Sequence, residues 1–160
     1  MDHLKPGTMK ATIRFIILFA IILSQSCKNK SDPCGECFTP PSDFKFEIVD
    51  RATGEDLFKN GTFQPNQIKI ISLFDSSDVQ FKFIEYPTID IIQTQWIGAT
   101  TETIYYSFSI SSMNIFRLYI DAERIVENCC SYTRYNEIRI EDVEYETNPD
   151  SEIIKILVNL

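Results

Sequence analysis

The stretch ETIYYSFSISSMNIFRLYID, residues 102–121, decides the fold. Ile104, Tyr106, Phe108 and Ile110 alternate with polar neighbours, and so do Phe116, Leu118 and Ile120. A period of two is the signature of a strand buried on one face. Pairing Ile110 with Phe116, Phe108 with Leu118 and Tyr106 with Ile120, around a loop at Met113, puts every apolar residue on the same side. A slip of one residue would turn one strand's apolar set to solvent. The opposite side then carries Tyr105, Tyr119 and Arg117. These residue types anchor protein and sugar interfaces, which makes the three the candidate ligand-binding residues. The plainer alternative is ordinary cross-strand pairing.

Working outward, the same period recurs at Phe44–Ile48, Gln67–Phe74, Val79–Ile84, Thr88–Thr94, Arg134–Ile140 and Ile153–Val158. In Gln67–Phe74 the phase breaks at Ile70-Ile71, which suggests a bulge. Arg51–Asp56 and Asp75–Asp78 carry turn chemistry. No stretch shows a helical stripe with caps. Residues 44–160 are therefore expected to form an all-β domain, an antiparallel β-sandwich of about 7–8 strands, immunoglobulin-like or transthyretin-like. Trp96, beside Ile97-Gly98, is expected in the core or as a loop anchor. Val49-Asp50-x-x-Thr53-Gly54-Glu55-Asp56-Leu57 resembles the first hairpin of transthyretin-like and carboxypeptidase-regulatory-like domains. Phe58-Lys59-Asn60 stands where those domains usually place small apolar residues.

The N-terminus reads differently. Met9–Arg14 is short and basic, Phe15–Leu23 is an unbroken apolar run, and Ser24-Gln25-Ser26 is small and polar. This is the order of a secretory signal peptide, and the apolar run is too short to span a bilayer. The zones are complete when counted from Met9, so either Met1 or Met9 suits as the start. Cys27 follows at the cleavage position. The segment resembles the lipobox of small bacterial lipoproteins, with an early Cys-x-x-Cys and a β-rich body, although Leu23 lies four residues before the cysteine rather than three. Ser24-x-Ser26 would also suit ordinary signal peptidase. The resemblance implies removal of residues 1–26, acylation of Cys27, and attachment to a cell-envelope membrane on its periplasmic or surface side. It implies a location, not an activity.

Five cysteines are present: Cys27, Cys34, Cys37, Cys129 and Cys130. An odd number in an exported chain leaves one thiol over, and assigning Cys27 to lipid leaves four. Residues 27–43 then form an anchor and tether containing the early pair. A redox Cys34-x-x-Cys37 would need a helix start after it, and Pro40-Pro41 opposes one. A four-thiolate zinc site is awkward for adjacent cysteines in an oxidising compartment. Two structural disulfides remain as the simplest reading. Local pairing of Cys129 with Cys130 needs a strained ring, so cross-pairing of Cys34 and Cys37 with Cys129 and Cys130 is expected, its connectivity undecided. With Cys34 tied down, Cys27 lies at most about 25 Å from the body.

Composition narrows the chemistry. With 44% hydrophobic residues, twelve Phe and seven Tyr, the chain can bury a real core and is not disordered. Cutting after Ser26 removes Lys5, Lys10, Arg14, Asp2 and the sole histidine, His3, leaving 12 of 15 basic and 22 of 23 acidic residues, a net charge of −10. A mature chain without histidine has no Ser-His-Asp or Cys-His catalysis. So acidic a surface repels nucleic acid and anionic head groups. Membrane attachment must then come from two or more acyl chains, each buried CH₂ contributing about 0.8 kcal/mol. No cofactor, metal site or catalytic residue is expected. Calcium at Asp75 and Asp78 lacks EF-hand spacing. The carboxylates Glu137, Glu141, Asp142, Glu144, Glu146, Asp150 and Glu152 invite a glycosidase reading, against which stands an ordinary solvated face. The favoured function is a non-enzymatic envelope module that binds a protein or glycan partner or has a structural role. The alternatives are a small carboxylate-dependent hydrolase and an inhibitor of an envelope enzyme.

Overall fold

The computed structural model describes residues 37–127, 130–147 and 151–160. Among them are nine strands and no α-helix: β1 (Phe44–Asp50), β2 (Ile68–Ser72), β3 (Lys82–Glu85), β4 (Asp90–Thr94), β5 (Glu102–Ile110), β6 (Met113–Glu127), β7 (Cys130–Glu141), β8 (Glu144–Thr147) and β9 (Ile153–Val158). A single 3-10 turn, Pro65–Gln67, leads into β2. The strands form two sheets, ordered β3-β4-β1-β9-β8 and β2-β5-β6-β7. The fold is the expected all-β sandwich. β8 was not foreseen, because its sequence, Glu144–Thr147, reads as part of an acidic surface and all four residues are exposed. One pair departs from the antiparallel rule: β1 and β9 run parallel, Lys45 beside Ile153 through Asp50 beside Val158. The first and last strands thus close one sheet together.

The two sheets share one core. Phe46, Ile48, Ile92 and Ile156 from the first meet Ile70, Phe108, Phe116 and Leu118 from the second. Phe46 lies 5.2 Å from Phe108 and 5.0 Å from Phe116, ring centroid to ring centroid, and the last two stack at 4.2 Å across β5 and β6. The long connection from β1 to β2 adds Leu57, Phe58 and Phe63 to this core. Phe58, in the position expected to hold a small residue, packs edge-on against Phe83 at 5.0 Å. Burying such side chains contributes on the order of 1.5–3 kcal/mol each.

The decisive hairpin keeps its faces but not its register. Phe108 pairs with Phe116, Tyr106 with Leu118 and Ile104 with Ile120, a shift of two from the expected pairing. The turn is Ser111-Ser112 alone, with Ser111 at φ 59°, and Ile110 already pairs with Met113. A register shift between Phe108 and Ser109 leaves Ile115 as an extra residue, itself buried. An even shift preserves parity, so the apolar set stays inside. The bulge expected at Ile70-Ile71 is absent: β2 pairs with β5 without a break, and Ile71 lies opposite Ser107 on the outer face.

Candidate functional site

Because parity alternates the faces, the odd-numbered residues of β5, of β6 from Arg117 onward and of the second half of β7 point away from the core. Tyr105 pairs with Tyr119, and Tyr119 with Arg139; one row along, Ser107 pairs with Arg117 and Arg117 with Glu141. The two tyrosine rings meet edge-on at 6.0 Å. The Arg139 guanidinium sits 4.2 Å over Tyr119, and that of Arg117 5.7 Å over Tyr105. The structure therefore brings together all three candidate residues, Tyr105, Tyr119 and Arg117. It adds Arg139 and Glu141, whose parity in β7 could have shown them. It also adds Phe74, 65% exposed and 6.5 Å from the Tyr105 ring. Phe74 ends the expected strand run Gln67–Phe74, but β2 stops at Ser72 and Phe74 lies in the turn after it, where alternation no longer sets a face.

The face is electrostatically knitted. Arg117 donates from Nε and Nη2 to both carboxylate oxygens of Asp142, at 2.5 and 2.9 Å. Arg139 lies 3.4 Å from Glu137 and 3.5 Å from Glu141. The Tyr105 hydroxyl donates to Glu141 at 2.8 Å, and that bond raises the phenol's pKa. Hydrogen bonding to Arg117 holds the Asp142 carboxyl below its ordinary range and pushes the Arg117 guanidinium up. Asp142 thus favours the folded state above the usual carboxylate pKa, and its contribution is lost as pH falls through the lowered folded value. Flat rings framed by paired charges suit docking of a partner surface. No nucleophile with an adjacent base lies among these residues.

The carboxylates of the hydrolase alternative are dispersed. A cavity of about 440 Å³ is bordered by Arg51, Asn114, Asp142, Glu144 and Val158. Both of its acids are neutralised, Asp142 by Arg117 and Glu144 by Arg51 at 2.7 Å. A general acid needs a raised pKa, and that of Asp142 is lowered. Glu152 pairs with Lys45, Glu146 is exposed on β8, and Asp150 lies outside the described residues. Asp75 accepts hydrogen bonds from the Ser77 amide and hydroxyl at 3.2 and 2.8 Å and so shapes its own turn.

Three further carboxylates are buried. Asp56 Oδ1 accepts from the amides of Phe58 and Lys59, and its Oδ2 from the amide of Asp90 at 2.6 Å, which ties the connection after β1 to β4. The Asp90 carboxylate has no well-angled hydrogen bond at Oδ1 but lies 2.7 Å from Lys59 Nζ, and the ion pair neutralises it. Glu47 is 4% exposed on the outer face of the five-stranded sheet, 3.6 Å from Lys155. Burial raises its pKa, Asp56 adds to the rise, and Lys155 only partly opposes it. A raised carboxylate favours folding fully below its unfolded pKa, and that advantage is lost as pH rises through the folded value. Glu47→Gln should therefore gain stability relative to wild type between pH 4 and pH 7. Urea melts at the two pH values check this, and an equal difference at both would exclude it.

Cys37 is joined to Cys130, with Cα atoms 4.5 Å apart. This is one of the early-to-late pairings expected. Cys27, Cys34 and Cys129 lie outside the described residues, as do the export segment and the start of the tether. Around the disulfide the Thr39 amide donates to Ser131 O at 2.8 Å, and the Ser131 amide to Cys37 O at 3.0 Å. Arg124 donates to Thr39 O, to the hydroxyls of Thr133 and Ser131, and lies over the Phe38 ring at 4.9 Å.

Trp96 corrects an expectation. It is 65% exposed, while its neighbour Ile97 is 4% exposed and takes the core position. Hydrogen bonds from the Tyr135 and Thr133 hydroxyls to the Ile97 and Gly98 carbonyls fix the loop in which Ile97 turns inward and Trp96 outward.

Comparison with protein-family models, curated proteins and solved structures finds no match to this chain. Among the described residues no helix is long and apolar enough to cross a membrane, and no group of three or more His, Cys, Asp or Glu is placed to hold a metal ion.

Proposed function

We propose that this chain is an exported bacterial lipoprotein, cut after Ser26, acylated at Cys27, and held at an envelope membrane as a non-enzymatic binding module. The surface formed by Tyr105, Tyr119 and Arg117 would receive its partner. The observation that supports this most is the Cys37–Cys130 disulfide. Structural disulfides persist in oxidising compartments outside the cytosol, where the N-terminal segment would direct the chain. The disulfide also fixes the body at residue 37, ten residues after the lipid attachment point. That length spans at most about 36 Å, so the domain would stand close to the bilayer.

Intact mass of the protein extracted from membranes tests the reading. The expected species begins at Cys27 and carries two or three acyl chains. A species retaining residues 1–26, or one with an unmodified Cys27, would overturn it.

A further inference from the structure

We propose that Trp96 and the groove beside it form a saccharide subsite that takes one acidic sugar ring. The groove encloses about 220 Å³ and is lined by Gln80, Phe81, Lys82, Gln95 and Trp96. Phe81 packs against the core and makes a fixed apolar floor, while Trp96 stands exposed as a wall. Aromatic faces receive the apolar face of a pyranose, and the amides of Gln80 and Gln95 supply donors and acceptors for its hydroxyls. The volume is below that of a drug-sized pocket and suits a single ring. Charge selects the kind of ring. The whole chain is acidic, with a net charge of −8, yet the one ionisable side chain lining this groove is Lys82, which has no ion-pair partner among the described residues. A uronate carboxylate supplies the missing anion.

The backbone gives an independent reason to regard Trp96 as a presented group. Its φ is 65°, a left-handed conformation that bulky side chains rarely adopt. Such strain persists only where the surroundings over-determine it, and it gathers at functional sites. Here the surroundings do so. The Ile97 carbonyl accepts from the Tyr135 hydroxyl at 2.9 Å, the Gly98 carbonyl from the Thr133 hydroxyl at 2.7 Å, and the Gly98 amide donates to Glu102 at 2.6 Å. The Ala99 amide closes the turn onto Trp96 O at 3.1 Å. Every one of these bonds holds the loop, and none holds the indole.

The proposal rests on the reading of the chain as a binding module and is tested apart from its lipid anchor. Trp96 is the only tryptophan, so emission excited selectively at the indole, at wavelengths the seven tyrosines do not absorb, reports on this groove. The probes are hexagalacturonate and neutral maltohexaose, titrated into the folded mature chain. The acidic oligomer should give a saturable change in emission with affinity in the millimolar range, set by one shallowly held ring. Lys82→Gln should weaken it at least tenfold, and maltohexaose should give no change. Trp96→Gly, read by calorimetry, should lose binding while melting at or above the wild-type temperature, because glycine relieves the left-handed strain. No saturable change with hexagalacturonate would overturn the proposal. So would equal responses to the two oligomers, undiminished binding by Lys82→Gln, or binding retained in Trp96→Gly. The mass of Cys27 is unaffected by any of these outcomes, so the two readings fail separately.

Discussion

Full reduction of the folded protein should lower its unfolding free energy by roughly 4–5 kcal/mol, the chain-entropy value for a loop of this size. Cys37 and Cys130 are 93 residues apart, so their link encloses β1 to β6 and the start of β7 and removes much freedom from the unfolded chain. For a domain of this length the loss corresponds to a fall in Tm of about 15–25 °C. Calorimetric melts with and without reductant, beside the variant in which Cys34, Cys37, Cys129 and Cys130 are all changed to serine, measure it. In the folded state the effect should be local. Residues 37–39 are held on β7 by the Phe38–Ser131 bridge and by Arg124, and hydrogen exchange at the Thr39 and Ser131 amides should rise first. A fall in stability below about 1 kcal/mol would show that the link constrains little of the unfolded chain.

Gly98→Ala should destabilise the protein by about 2–4 kcal/mol, from combined backbone strain and overpacking. Gly98 has φ 87°, and a Cβ there would stand 2.4 Å from Thr133 Cγ2, 3.2 Å from Ala122 Cβ and 3.3 Å from Tyr135 Cε1. Thr133 has little freedom to retreat, since its hydroxyl donates to Gly98 O and accepts from Arg124. By contrast Gly54 and Gly61, also at positive φ, have open space around them, so alanine there should meet the backbone cost alone. Denaturant midpoints of the three variants separate the two contributions. Equal losses at all three sites would remove the steric part of the explanation.

Parity made much of the candidate site legible. Strand residues two apart share a face, and a shift of two keeps it, so once β5 and β6 are paired as a hairpin Tyr105, Tyr119 and Arg117 fall on the outer face in either register. The cross-pairing of early with late cysteines was legible for a similar reason: ring strain between adjacent cysteines is a local property. Arg139 was legible in principle, from its odd position in the β7 run. Phe74 and Trp96 were not. Both lie outside strands, where the side-chain direction follows from hydrogen bonds made to distant residues, such as those from Tyr135 and Thr133 to the loop of Trp96.

The sequence by itself determined the strand class, the inner and outer faces of β5 and β6, and the pairing of an early cysteine with a late one. Each depends on alternation or on covalent geometry within a few residues. Tertiary structure decided the register, through the two-residue turn at Ser111-Ser112 and the extra Ile115, and it decided the parallel meeting of β1 with β9. It also chose Ile97 over Trp96 for the core and buried Glu47 beside Lys155. These outcomes depend on how much space the opposing sheet leaves and on which polar groups find partners across it, and neither quantity is carried by any one stretch of the chain.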